Sequence, residues 1–360
     1  MNRAKVAVGL SGGVDSAVSA LLLKKQGDKV AGVHLYCWPP KSEIEKDGLT
    51  RAEWIKKNGC RADEDERMAL KTALELGIKF VKLDFSEEYN RRVVDYFYRE
   101  YEMGRTPNPD VLCNSEIKFG LFLQWALANG FDYVATGHYA KLDGGQLMIP
   151  EDKHKDQTYF LWKLTQKELK HVMFPLADLT KSEVREIARE AGLSVANRPD
   201  SQGICFVGNV QAREFLARRL QKKTGEVKNT KGEVIGTHDG VWFYTIGQRG
   251  RWDIDPKIQE NKTPVYYVVD KDAKKNELVV GVGKETESQR FEVGETNWIS
   301  GTEPRGNSVT ARIRHGGKLI PATIAGDKVI LHEAQRGVAP GQSVVFYAKD
   351  GEMLGGGVIG

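Results

Sequence analysis

The residues with the clearest chemical potential are Gly9-Leu10-Ser11-Gly12-Gly13-Val14-Asp15-Ser16. Paired glycines permit a tight turn in which backbone N–H groups converge, Ser11 and Ser16 add hydroxyl donors, and a helix starting there presents its positive end. Such a turn holds a phosphate chain. It is not a Walker loop, because the Gly-x-x-x-x-Gly-Lys pattern and its lysine are missing. The four cysteines, Cys37, Cys60, Cys113 and Cys205, form no Cys-x-x-Cys pair and are too widely spaced for a structural zinc site, so no metal centre is predicted. Cys113 follows a segment stiffened by Pro107 and Pro109, which predicts that loop geometry rather than helix packing sets its direction. For Cys205, between Ile204 and Phe206, a reactive thiol and a small buried hydrophobe are both open readings. Cys37, beside Trp38, and Cys60 fit the buried reading. Asp110, taken alone, is a turn former. His138 has no second histidine at ligating spacing and is predicted to be a polar residue at a strand end.

These residues need a scaffold, and the pattern around them supplies one. Residues 5–10 read as a strand running into the glycine turn, 16–26 as a helix, 30–36 as a strand and 64–76 as a helix, with further strands at 80–85 and 133–136. That alternation predicts a parallel α/β sheet to about residue 208. Gly27, Gly77 and Gly130 follow helical runs where left-handed caps belong, and Thr180 with Glu183 makes a capping box. In an open parallel sheet the strand ends form the ligand crevice. Residues 39–59, polar and rich in lysine and glutamate, are predicted to be an exposed excursion. Of the 38 glycines, 21 lie after residue 210, where helical periodicity fades. Short β-branched or alternating runs at 241–245, 265–269, 278–282, 309–313, 328–331 and 343–347 predict one or two small β-barrels. The expected division is 1–208, 209–285 and 286–360.

Composition limits the rest. With 360 residues, 40% hydrophobic and 28% charged, the chain is neither disordered nor a small single module. The excess of 53 basic over 49 acidic side chains is too small for polyanion binding over the whole surface, so any nucleic-acid site is local. Residues 213–228 carry a surplus of four positive charges, which suits either an RNA contact or a solvated helix face. Arg312 and Arg314 are predicted to project from one strand face, beside Lys318, as a phosphate track. No run approaches the roughly 20 apolar residues of a membrane span, which predicts a cytoplasmic protein with reduced thiols.

The Ser-Gly-Gly-Val-Asp-Ser turn resembles the loop of enzymes that split ATP into AMP and pyrophosphate. Five further motifs narrow the family: Arg105-Thr106-Pro107-Asn108-Pro109-Asp110-Val111-Leu112-Cys113-Asn114, Ala135-Thr136-Gly137-His138-Tyr139, Lys155-Asp156-Gln157, Asp200-Ser201-Gln202-Gly203-Ile204-Cys205-Phe206 and Thr245-Ile246-Gly247-Gln248-Arg249. With the closing Leu354-Gly355-Gly356-Gly357, they resemble the tRNA-specific 2-thiouridylases over nearly the whole chain. The resemblance implies a parallel-sheet adenine-nucleotide domain followed by two small β-barrel-like domains. It implies ATP held by residues 9–16 together with Leu35 and Gly137, and Mg2+ with the phosphates near Asp15. It further implies a persulfide on Cys205 with Cys113 as partner, Asp110 as acid–base group, and tRNA contacts at Asn108, Pro109, Asp110, Lys155, Asp156, Gln157, Arg312, Ile313 and Arg314. The implied partners are tRNA, through its anticodon loop and stem, and a persulfide donor such as a cysteine desulfurase or sulfur-relay protein. Two departures stand out: residues 39–59 are longer than usual, and Arg198-Pro199 replaces a lysine-rich pair. An enzyme adenylating a carboxylate for nitrogen transfer, and a non-catalytic nucleotide-gated RNA-binding module, remain alternatives.

Overall fold

The computed structural model describes residues 3–58, 60–200, 212–250, 252–256, 264–304 and 308–360. Strands β1 (Lys5–Gly9), β2 (Lys29–Tyr36), β3 (Lys79–Asp84), β4 (Tyr133–Ala135) and, after a hairpin of β5 (Lys141–Asp143) with β6 (Gln146–Met148), β7 (Val172–Met173) account for the first domain. The five main strands form one sheet in the order β3-β2-β1-β4-β7, and every pairing is parallel. The two-residue period of a strand assigns its faces. Val6 and Val8 pack toward helix α1 (Val14–Gln26), whereas Ala7 points to the opposite core with Val33 and Phe122. Small residues, Ala17 and Ala20 on α1 with Ala69, Ala73 and Ala188, let the helices Ala62–Leu76 and Lys181–Glu190 share a core with it. Gly27, Gly77 and Gly130 have φ of 94°, 58° and 75°, the left-handed cap conformation expected of them. The Thr180–Glu183 capping box is present as well.

The second domain is a five-stranded sheet of β8 (Gly225–Asn229), β9 (Val234–His238), β10 (Asp253–Ile254), β11 (Tyr267–Asp272) and β12 (Glu277–Gly281), ordered β10-β9-β8-β12-β11. The third is a closed barrel of β13 (Glu287–Trp298), β14 (Ser308–Arg312), β15 (Ile320–Ala325), β16 (Lys328–Arg336), β17 (Ser343–Tyr347) and β18 (Met353–Ile359). An α/β domain followed by β domains is the predicted fold class.

Two local expectations change. Residues 241–245 do not form a strand: Val241–Phe243 is a 3-10 turn after Gly240, whose φ is 136°. Residues 39–59 are not a purely exposed excursion. They contain the helices Lys41–Lys46 and Arg51–Asn58, and Trp54 is buried edge-on against Trp38 with ring centroids 6.0 Å apart. Trp38 packs in turn on Phe215, from the helix Ala212–Leu216. The excursion thereby fastens the first domain to the second.

Candidate functional site

In the strand order, β1 has β2 on one side and β4 on the other, so the chain leaves β1 and β4 in opposite directions and a crevice opens at their carboxyl ends. A cavity of about 450 Å³ occupies it. Its walls include Gly9, Leu10, Ser11, Gly13, Val14, Asp15 and Ser16 after β1, Gly137 to Tyr139 after β4, and Leu35 of β2. Gly12 turns the loop with φ of 78°. The Gly13 N–H donates to Ser11 Oγ at 3.3 Å, and the Ser11 N–H donates to Ser16 Oγ at 3.2 Å, so donors and hydroxyls converge as a phosphate cradle requires. Gly137 is required for a different reason: a Cβ there would sit 2.7 Å from Ser16 N and 2.8 Å from the Asp15 carbonyl carbon.

Charged side chains line the opposite wall. Lys181 Nζ donates to both Asp15 oxygens at 2.7 and 2.8 Å and lies 2.9 Å from Asp200 Oδ1. The Tyr139 hydroxyl also donates to Asp15, and burial with this acidic neighbour raises its pKa well above the usual phenol range. Lys155 and Arg185 complete the grip on Asp200, each at 2.8 Å. Burial alone would raise the Asp200 carboxyl, but hydrogen bonds from Lys155 and Lys181 outweigh it and bring the pKa down to about 2. His138 is buried, which lowers its pKa well below the ordinary value, and the neighbouring Lys118 adds to the effect. Its ring is therefore neutral: Lys118 Nζ donates to Nε2 at 3.4 Å, leaving Nδ1–H to donate to Thr136 Oγ1 at 2.8 Å. Lys118, Lys181, Arg185 and His315 went unnoticed in the sequence, and Tyr139 was named only as the end of a motif, with no role. For Lys181 a signal existed, since the Thr180 cap makes it the first residue of a helix.

The thiols and the expected RNA contacts divide differently. Cys205 lies outside the described residues. Cys113 is fully buried, and it is helical: Pro109–Leu112 is a helical turn with proline at its start, and Cys113–Leu121 continues it as a π-helix. Helix packing, not free loop geometry, therefore sets its direction. Cys37 and Cys60 are buried among apolar side chains, where desolvation raises the Cys60 thiol. Asn108 and Asp110 are half-buried on the turn beside Pro109. The Thr106 N–H, in the same segment, donates to Pro340 O in the third domain.

Arg312 and Arg314 do not share an exposed face. Arg312 is buried, its Nη1 donating to Asp156 Oδ2 at 2.6 Å and its guanidinium 5.2 Å from the Tyr347 ring centroid. The strand ends at Arg312, Ile313 turns into the barrel core, and Arg314 is exposed. Lys155 and Gln157 are likewise engaged, on Asp200 and on the Tyr139 N–H. The basic run 213–228 is largely engaged within the protein: Arg219 bonds Asp95 and Glu43 and Arg218 lies over Trp54, both reaching the first domain, while Arg213 pairs with Asp239 inside the second.

Comparison with known proteins decides the family. Residues 4–209 match the tRNA methyl transferase HUP domain, 213–282 the tRNA methyl transferase PRC-barrel domain and 288–359 the Aminomethyltransferase beta-barrel domain. The chain is 42% identical to the tRNA-specific 2-thiouridylase MnmA 2 of Geobacillus kaustophilus (strain HTA426), over 100% of this chain and 96% of that protein. It is 44% identical to the tRNA-specific 2-thiouridylase MnmA of Streptococcus thermophilus (strain ATCC BAA-491 / LMD-9), over 99% and 95%. The chain belongs to the tRNA-specific 2-thiouridylase family. Such full-length similarity to 2-thiouridylases carries the α/β domain and both β domains together. Among the described residues no helix is long and apolar enough to cross a membrane.

Proposed function

We propose that this protein uses ATP to replace the C2 oxygen of a tRNA wobble uridine with sulfur. The observation that carries the reading is the crevice between β1 and β4: a glycine-serine phosphate cradle faces Lys118, Lys155 and Lys181 in a cavity of about 450 Å³, within the range of small-ligand sites. A triphosphate needs that arrangement. A methyl transfer, which two of the matching family titles name, uses a sulfonium donor without phosphates and has no use for it.

In this reading residues 9–16 hold the pyrophosphate, Gly137 and Leu35 bound the nucleoside, and the uracil C2 oxygen attacks the α-phosphorus with loss of pyrophosphate. Mg2+ would be held by Asp15, a carboxylate that lines the cavity and here accepts from Lys181 and Tyr139, together with the phosphates, since magnesium is commonly held by one or two carboxylates plus substrate oxygens. It would neutralise phosphate charge there. The terminal sulfur of a Cys205 persulfide then attacks C2 and AMP leaves. The Cys113 thiolate attacks the Cys205 sulfur, breaking its bond to the sulfur retained on C2 and leaving 2-thiouridine with a Cys113–Cys205 disulfide. Asp110, three residues before Cys113, moves the proton at the base. The persulfide comes from a cysteine desulfurase or sulfur-relay protein, and a wobble base in a single-stranded loop is turned out at low cost. The divisions 1–208, 209–285 and 286–360 are the working units of this scheme.

The test is product analysis with the full chain. AMP is expected only when tRNA and a persulfide donor are both present, and mass spectrometry should find extra sulfur on Cys205 in the Cys113→Ser variant and none there in Cys205→Ser. AMP formed without tRNA, or wild-type thiolation by both serine variants, would refute the scheme.

A further inference from the structure

Arg198 departs from the lysine-rich pair that the family resemblance leads one to expect, and its surroundings are unusual for an arginine. Its side chain is 9% exposed. Nη1 donates to the Gly12 carbonyl at 2.5 Å, while Nη2 donates to Asp65 at 2.6 Å and Glu64 at 3.0 Å, both from the start of the helix Ala62–Leu76. Asp65 O lies 2.5 Å from where a Gly12 Cβ would stand, so this helix start is packed directly on the phosphate loop. Two residues further on, Asp200 is held by Lys155, Lys181 and Arg185.

The geometry points to Arg198 as a positioning residue that sets the phosphate loop for pyrophosphate, an inference that rests on the nucleotide site proposed above. The peptide joining Gly12 to Gly13 is planar and trans, so its C=O and N–H point in opposite directions. A guanidinium that holds the Gly12 carbonyl outward therefore turns the Gly13 N–H inward. That N–H faces Ser11 Oγ, 3.3 Å away, inside the cradle. Gly12 lacks a side chain and has φ of 78°, so the torsions on either side of this peptide are soft and an external hydrogen bond decides its orientation. The charge of Arg198 matters too. Without it, Asp65 would lose its hydrogen-bonded cation and Glu64 would keep only Arg61, 3.5 Å away, at the back of a loop that must accept an anion.

The experiment measures affinity, so it does not depend on whether tRNA is thiolated. Binding of ATP, inorganic pyrophosphate and adenosine to the full chain is compared for wild type, Arg198→Gln and Arg198→Lys, with thermal unfolding as a check on folding. Loss of a charge-assisted bond of this kind predicts a Kd roughly tenfold to hundredfold higher for ATP and pyrophosphate in Arg198→Gln. Adenosine, which does not engage the loop, should keep its affinity, and Arg198→Lys should recover part of the loss. Unchanged ATP and pyrophosphate affinity in Arg198→Gln overturns the inference. So does an equal loss for adenosine, which would mean general damage to the domain. Failure of wild type to form AMP would count against the proposed reaction and leave this affinity comparison readable.

Discussion

At the scale of single residues, the site depends on one glycine that makes room and one carboxylate that gathers cations. Gly137 has no positive φ to satisfy; it is needed because the segment after β4 touches the first turn of α1. Gly137→Ala would drive a methyl group to 2.7 Å from Ser16 N, forcing the helix start and the cradle apart. The expected result is a stability loss of about 1 to 3 kcal/mol by denaturant titration, with weaker ATP binding in calorimetry. Asp200 gives a pH signature. Its folded-state pKa of about 2 lies below the ordinary carboxylate value, so its contribution to stability is complete above roughly pH 4 and is lost as pH falls through 2. Asp200→Asn should therefore narrow the stability difference from wild type between about pH 4 and pH 2, as read by unfolding at fixed pH values. A constant difference across that range would show that Asp200 acts by shape alone.

At the scale of elements, the segment 39–58 changes the view of how the domains hold together. Its lysines, Glu45 and Glu53 face solvent, yet Glu43 is bonded to Arg219, and Trp54 is 2% exposed and meets Trp38 and the Arg218 guanidinium. One buried aromatic thus anchors a polar helix. Trp54→Ala should cost about 3 to 5 kcal/mol, and limited proteolysis should then cut between residues 39 and 58 first. The three glycines of β18 follow similar logic: a Cβ at Gly356 would lie 2.9 Å from Trp162 Cγ and 2.6 Å from Val344 O, so this strand must be bare where the first domain's tryptophan crosses it.

At the scale of the whole molecule, the third domain is locked onto the first through buried polar contacts. Besides Arg312 with Asp156, the Trp162 Nε1–H donates to Ser343 Oγ at 3.0 Å and the Tyr159 hydroxyl donates to Ser343 O at 2.8 Å. Arg312 and Arg314 should therefore separate cleanly in experiment. Arg312→Ala leaves the Asp156 carboxylate buried without its cation and should destabilise the protein by about 3 to 5 kcal/mol. Arg314→Ala should leave stability near wild type and reduce the salt dependence of tRNA binding by about one phosphate contact. Equal effects of both on the salt slope, with no change in stability from either, would contradict the buried pairing.

Local chemistry was enough for the sequence to determine the cradle, the helix caps and the order of an α/β domain before β domains. A glycine pair between a strand and a helix, a threonine three residues before a glutamate, and the switch from helical to alternating periodicity each act within a few residues, so they survive without knowledge of the rest of the chain. The grouping of Lys155, Lys181 and Arg185 around Asp15 and Asp200 was decided only by tertiary structure, as was the burial of Arg312. Those side chains are brought together by strand order and domain docking, Lys181 meeting Asp15 from 166 residues away and Arg312 meeting Asp156 from 156. Charge patterning along the chain could not separate an exposed arginine from one that neutralises a buried carboxylate, because Arg312 and Arg314 are basic residues two positions apart in one β-rich run. The difference between Arg312 and Arg314 lies in what the folded neighbours offer each of them, which is a property of packing and desolvation.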